Sequence, residues 1–187
     1  MIEVRIHGRG GQGAVTSAEL MALAAIEEGK FAQAMPSFGP ERRGAPVVSY
    51  LRISEQERIR IRSEVIQPDI VVVLDPSLLK IIDFTAGLKQ EGQEGMIVIN
   101  TRQLPDEIKS AFRIESRVAV VNATKIARET LGVPITNTTM MGALIRATGI
   151  VELDSLAGPI QERFSEMLAQ KNLKAVQAAY EKTLIEE

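Results

Sequence analysis

Residues 2–13 read Ile2-Glu3-Val4-Arg5-Ile6-His7-Gly8-Arg9-Gly10-Gly11-Gln12-Gly13, and Ala14 opens a helical pattern that runs to Glu28. Apolar and polar side chains alternate over residues 2–7, the period of a strand with one face covered. Four of the six residues from Gly8 to Gly13 are glycine, which ends the strand in a tight turn. A strand passed by such a turn into a helix is the opening unit of an α/β fold. Gly8, Gly10 and Gly13 keep the spacing G-x-G-x-x-G. That spacing lets backbone N–H groups close on an anion at the positive end of the helix. Glycines that only make a strand-to-helix turn are the plainer reading.

Three further runs, residues 70–74, 96–99 and 118–121, are short and continuously apolar. Strands buried on both faces, as in a parallel sheet between helices, require this. Helical patterns follow at 76–90 and 123–131, and Gly29 and Gly132 stand where C-terminal caps belong. Residues 47–53 and 58–62 are also strand-like. Only Ser54-Glu55-Gln56-Glu57 separates them, too little chain for a parallel crossover, so the spacing predicts an antiparallel hairpin. After Asn137 the pattern is helical, with a break near Gly158-Pro159 and an amphipathic end through Tyr180. The expectation is one domain over residues 1–187. Its architecture is three-layer α/β/α, with a mostly parallel Rossmann-like sheet, one antiparallel hairpin and a helical C-terminus.

Composition narrows the chemistry. Hydrophobic residues make up 45% of the 187, enough for a core, yet aromatics are 4% and tryptophan is absent. There is no cysteine, which excludes disulfides, thiolate zinc sites and ordinary iron–sulfur ligation on this chain. His7 is the single histidine, so a His-rich metal site is excluded too. No Asp/Glu cluster suggests a carboxylate-held magnesium. A net charge of −2 offers no global attraction to nucleic acid or anionic lipid. No apolar run has the length of a membrane span, and no signal pattern opens the chain. The expected location is cytoplasmic.

Binding residues are sought at the carboxyl ends of the strands, where open α/β sheets hold ligands. His7-Gly8, Asp75, Asn100 and Asn122 stand there, although Asp and Asn also serve as caps of the following helices. A dinucleotide would need an acidic residue about 20 positions after the glycine loop for its ribose. Glu27 and Glu28 have that count but lie within the helix, and Gln33-Ala34-Met35-Pro36 offers no carboxylate. A nicotinamide cofactor is therefore disfavoured, and the Walker pattern is absent.

The segment Pro36-Ser37-Phe38-Gly39-Pro40-Glu41-Arg42-Arg43-Gly44-Ala45-Pro46 has three prolines and two glycines, which forbid regular structure while restricting the loop. Its paired arginines suit phosphate or carboxylate. A solvated loop, with Glu41 neutralising an arginine, is the alternative. Arg58, Arg60 and Arg62 alternate with Ile59 and Ile61, a stripe that is either a wet face or a dock for an acidic partner. His7 reads as a hydrogen-bonded spacer rather than a general base.

Taken together, these residues resemble the gamma subunit of 2-oxoacid:ferredoxin oxidoreductases, the pyruvate synthase type in particular. The matching elements are Ile6-His7-Gly8-Arg9-Gly10-Gly11-Gln12-Gly13, Ser37-Phe38-Gly39-Pro40-Glu41-Arg42-Arg43-Gly44 and Asn137-Thr138-Thr139-Met140-Met141-Gly142-Ala143-Leu144. Ala45, where a second glycine is expected, departs from the pattern and is tolerated unless its φ is positive. The resemblance implies a subunit without catalytic acid–base residues. It would help bind coenzyme A and complete a complex with alpha, beta and delta chains and, through them, ferredoxin. Thiamine diphosphate, magnesium and [4Fe-4S] clusters would sit on those partners. The residues expected to line the coenzyme A site are Gly8, Gly10, Gly11, Gln12, Gly13, Ser37, Arg42 and Arg43. A 2-oxoglutarate, branched-chain oxoacid or indolepyruvate enzyme is the near alternative. A free-standing nucleotide-binding regulatory module is the distant one. Expressed alone, the chain is expected to self-dimerise through faces meant for other subunits.

Overall fold

The carboxyl end of the first strand carries the glycine loop, so the sheet around that strand determines what the loop meets. The computed structural model of the chain describes residues 1–37, 43–89 and 95–186. β1 (Ile2–Arg9) leads into α1 (Ala14–Glu27), then β2 (Phe31–Pro36), β3 (Pro46–Ser54), β4 (Ile70–Val73) and a 3-10 turn at Pro76–Lys80. β5 (Met96–Asn100), α2 (Pro105–Phe112), β6 (Arg117–Val121), α3 (Ala123–Leu131) and α4 (Asn137–Thr148) follow. A second 3-10 turn (Leu153–Leu156), α5 (Ala157–Arg163), α6 (Glu166–Lys182) and β7 (Leu184–Ile185) complete the order.

The strands form one seven-stranded sheet in the order β2-β3-β1-β4-β5-β6-β7. β1, β4, β5 and β6 run parallel. β3 is antiparallel to both β1 and β2, and β7 is antiparallel to β6. The apolar runs explain the two layers. Val72, Val98, Ala119 and Val121 face a core shared with α1, α4 and α6, while Val71, Val73, Ile97, Ile99, Val118 and Val120 face a second core closed by Leu78, Leu79 and Ile108. β1 and β3 alternate instead. Val4, Ile6, Leu51 and Ile53 enter the first core, and Arg5, His7, Tyr50 and Arg52 lie on the opposite face. α4 and α6 approach so closely that a Cβ on Gly142 would overlap the backbone at Val176 and Tyr180.

Three expectations need correction. The hairpin partner of β3 is β2, not residues 58–62. Both edges of β3 are already paired, so the Arg-Ile alternation has no ladder to join. The helix expected over 76–90 is a 3-10 turn ending at Lys80, and Gln90 lies outside the described residues. Asp83 takes the backbone N–H of Thr85 at 3.2 Å, and Gly87 has φ +70, so the chain turns where a helix would continue. The single break near Gly158-Pro159 is replaced by two, at residues 149–152 after α4 and at 164–165 after α5, because Pro159 sits in the first turn of α5, where a missing N–H costs nothing. β2, α2 and β7 had no counterpart in the sequence reading.

Candidate functional site

Gly11 (φ +90) and Gly13 (φ +81) occupy left-handed conformations that side chains resist, and Gly13 is the N-cap of α1. No side chain caps α1, and no acid stands in its first turn. The same is true of α4, whose N-cap is Thr136. The two helix starts adjoin. A Cβ on Gly13 would overlap the Asn137 amide, and Ser17 Oγ donates to the Asn137 carbonyl at 3.2 Å. Two positive helix ends with uncapped N–H groups therefore meet at one edge of the sheet.

The antiparallel register brings the arginine loop to the same edge. Arg9 pairs with Pro46, so the chain just before β3 lies beside the glycine loop. Gly10 N donates to Ala45 O at 2.9 Å, Gly44 N donates to Gly10 O at 3.1 Å, and Gly10 forms a bridge with Arg43. The stem of Arg43 lies over Gly11, with Cγ 4.0 Å from where a Cβ would be. Arg43 is exposed and makes no ion pair among the described residues. Gly44 has φ +83, whereas Ala45 is outside the positive region, which accounts for alanine there.

A closed polar network braces the loop from below. Gln12 Oε1 accepts the Arg9 N–H at 2.8 Å, and its Nε2 donates to Asp75 Oδ2 at 2.7 Å. Arg9 Nε stands 3.3 Å from the same carboxylate, Nη1 donates to Gly44 O at 2.9 Å, and Nη2 to Ser77 Oγ at 2.8 Å. Burial alone would raise the Asp75 pKa. Hydrogen bonds from Ser77 and Gln12, with the Arg9 charge, outweigh it and hold the carboxyl below its usual range. Arg9 is thus neutralised within the network, and Arg43 is the loop's uncommitted cation among the described residues.

The other strand-end residues divide between capping and bracing. Asp75 caps the 3-10 turn and Asn122 caps α3. Asn100 Nδ2 donates to Leu74 O at 2.8 Å and to Thr124 Oγ1 at 2.9 Å, tying β4 to α3. His7 is buried, and its Nε2 accepts from Arg5 Nε at 3.0 Å. Burial, reinforced by the Arg5 charge, pushes its imidazole down to about 4. A neutral ring with that lone pair engaged is a spacer.

Of the residues expected to line a site, Gly8, Gly10, Gly11, Gln12, Gly13 and Arg43 come together. Ser37 lies on the same edge beyond β3. Its N–H donates to Val48 O at 2.9 Å. Arg42 lies outside the described residues. The sequence reading missed Arg9, Ser77 and Asn137 as site residues. Ser77, two positions after Asp75, carries the signal of an Asx turn. Asn137 meets Gly13 only in three dimensions. Among the described residues no group of three His, Asp or Glu side chains is placed to hold a metal, and no helix is long and apolar enough to cross a membrane.

Residues 3–182 match the pyruvate ferredoxin/flavodoxin oxidoreductase family. The chain is 52% identical to the pyruvate/ketoisovalerate oxidoreductases common subunit gamma of Pyrococcus abyssi, over 99% of this chain and 98% of that one. It is 48% identical to the pyruvate synthase subunit PorC of Methanothermobacter marburgensis, over 97% of each chain. The crystal structure of the pyruvate oxidoreductase subunit PORC of Thermotoga maritima superposes with a TM-score of 0.88 at 35% identity, covering 100% of this chain and 98% of that one. Matched from end to end in sequence and in fold, the chain belongs to the pyruvate ferredoxin/flavodoxin oxidoreductase family and is a gamma subunit of a 2-oxoacid:ferredoxin oxidoreductase.

Proposed function

We propose that this subunit holds the phosphates of coenzyme A at the glycine-loop edge. There it completes an enzyme that converts a 2-oxoacid, coenzyme A and oxidised ferredoxin into acyl-coenzyme A, carbon dioxide and reduced ferredoxin. The observation that carries the reading is the meeting, at the carboxyl ends of the strands, of the Gly10–Gly13 backbone, two uncapped helix starts and Arg43, which has no ion-pair partner among the described residues. Gly8 supports it by allowing close packing, since a Cβ there would lie 3.3 Å from Leu74 and 3.4 Å from Ala14. Gln12 fixes the loop's shape, and Ser37 extends the site along the same edge; Arg42, next in sequence to Arg43, is proposed as a second cation.

Thiamine diphosphate with magnesium and the [4Fe-4S] clusters belong to alpha, beta and delta partners, which supply decarboxylation and electron transfer. This chain has no cysteine with which to ligate a cluster, and its one histidine is engaged by Arg5. The sheet joins β1 near one terminus to β7 near the other, which supports reading residues 1–187 as one domain. The site is tested in the assembled enzyme by Arg42→Ala and Arg43→Ala together. Loss of charge-assisted bonds to phosphate raises KM for coenzyme A by about tenfold or more while KM for the oxoacid holds. An unchanged KM for coenzyme A refutes the assignment.

Pyruvate is the proposed oxoacid, because relatives at about half identity are named for it. Ketoisovalerate is a second reading with its own support, since the Pyrococcus abyssi relative is named as common to both oxidoreductases. A panel of 2-oxoacids, followed by ferredoxin reduction, separates them.

A further inference from the structure

The Arg-Ile alternation that finds no place in the sheet has a second property. Residues 55–64 are exposed apart from the half-buried Ile59, and no strand pairing includes them. Arg58, Arg60 and Arg62 make no ion pair or hydrogen bond among the described residues. Ile61 is 45% exposed and Ile66 76%. Glu55, Glu57 and Glu64 lie to either side, leaving the five residues from Arg58 to Arg62 with three positive charges and no acid.

The segment is nonetheless fastened at both ends. Where it leaves β3, Ser54 Oγ accepts the Glu57 N–H at 3.4 Å. Where it returns, the buried guanidinium of Arg52 donates to Ser63 O at 2.8 Å and to Glu64 O at 3.4 Å, and Val65 enters the interior. A groove of about 420 Å³ runs between Met1 and residues 57–61. A clamped, exposed, β-patterned segment with concentrated cations and uncovered isoleucines has the anatomy of a docking element rather than of a solvated loop.

We propose that residues 57–66 dock this subunit onto an acidic face of a partner subunit in the oxidoreductase. The arginines meet its carboxylates, and Ile61 and Ile66 fill apolar positions between them. The proposal rests on the family assignment, which requires other subunits. Charge complementarity selects the occupant. A nucleic acid would have no use for the isoleucines, and a second copy of this chain would set like charges against each other wherever the arms met. The element is separate from the coenzyme A edge. Ile2 pairs with Ile53 and Arg9 with Pro46, so the arm leaves at the far end of β1, roughly 20 Å from the glycine loop.

The test uses the full chain carrying Arg58→Glu, Arg60→Glu and Arg62→Glu, with Ile61→Asp as a second variant, each titrated into the complex lacking this subunit. Wild-type association weakens as sodium chloride is raised. Charge reversal lowers the affinity at least about tenfold, and Ile61→Asp lowers it as well. Both isolated variants melt as the wild type does, since the changed side chains are exposed. In assemblies that do form, KM for coenzyme A is unchanged, so failure of this proposal leaves the coenzyme A reading standing. Association that survives charge reversal overturns it. So does a wild-type homodimer that the reversal abolishes, because the occupant is then a second copy.

Discussion

Replacing Arg52 with alanine tests whether the polar face of β1 and β3 holds the subunit together. The residue is 1% exposed and its guanidinium serves four acceptors. Nε meets Glu3 Oε1 at 2.7 Å, Nη1 meets Gln33 Oε1 at 3.2 Å, and Nη2 meets the carbonyls of Ser63 and Glu64. Removing one partner of a buried ion pair costs about 3–5 kcal/mol, chiefly through the charge left behind. The Glu3 side chain is 21% exposed and regains some water, which places the loss near the lower end, about 3 kcal/mol. In a domain of this size, about 2–4 °C of Tm accompanies each kcal/mol, so thermal unfolding should shift down by about 6–12 °C. Arg52→Lys keeps the charge but not the planar fork and should lose roughly half as much. Calorimetry on the isolated subunit reads both variants. A Tm within about 2 °C of wild type for Arg52→Ala refutes the reasoning, because the four acceptors would then be satisfied without the guanidinium.

Two further predictions follow from packing and titration. Gly142→Ala improves the helix propensity of α4 by up to about 1 kcal/mol, yet it should destabilise the subunit by about 2 kcal/mol net, because the new methyl meets backbone at Val176 and Tyr180 rather than a yielding side chain. A melting temperature at or above wild type would show that α4 and α6 can separate at no cost. His7 has its folded pKa lowered from 6.5 to about 4, so the unfolded chain binds its proton first. Its effect on stability is nil above about pH 6.5, grows as pH falls, and saturates below about pH 4 at a loss of up to about 3 kcal/mol. The depressed carboxylates Glu28 and Asp75 act at lower pH, so among the described residues with a shifted pKa the range from pH 6.5 to about 5 belongs to His7. His7→Gln keeps an acceptor for Arg5 and should flatten urea-unfolding stability across that range; an unaltered slope in the variant contradicts this account.

What was legible in the chain, and what was not, follows from where each decision is made. The strand and turn of residues 2–13 are local, and alternation with clustered glycine declares them. Parallel strands β4, β5 and β6 announce themselves because burial on both faces leaves mainly apolar residues. The hairpin is different. The 58–62 stretch has the stronger β pattern, whereas β2 offers only Phe-Ala-Gln-Ala-Met-Pro. Pairing depends on a free edge, and β1 and β2 occupy both edges of β3. The apolar spacing over 76–90 was also real, since Leu78, Leu79, Phe84 and Leu88 are all buried. Burial does not require a helix when Asp83 and Gly87 impose turns. At the site, the glycines were visible because their chemistry is in their own backbone, whereas Asn137 reaches Gly13 across more than a hundred residues, with no trace in spacing.

The antiparallel sense of β3 is what ties these observations to function. Were β3 parallel to β1, its start would lie at the amino end of β1, and Arg43 would stand roughly 20 Å from the glycine loop. Reversed, it delivers the 43–45 backbone onto Gly10, at the edge where the parallel strands already open a crevice. The same reversal sends the chain leaving β3 to the opposite edge, where Arg52 clamps it beneath the exposed arginines. One antiparallel insertion thus sets the proposed anion site and the proposed docking element at opposite ends of a single strand pair. On that proposal, a partner bound over the arm would leave the glycine loop open to a ligand, since the two lie at opposite ends of β1.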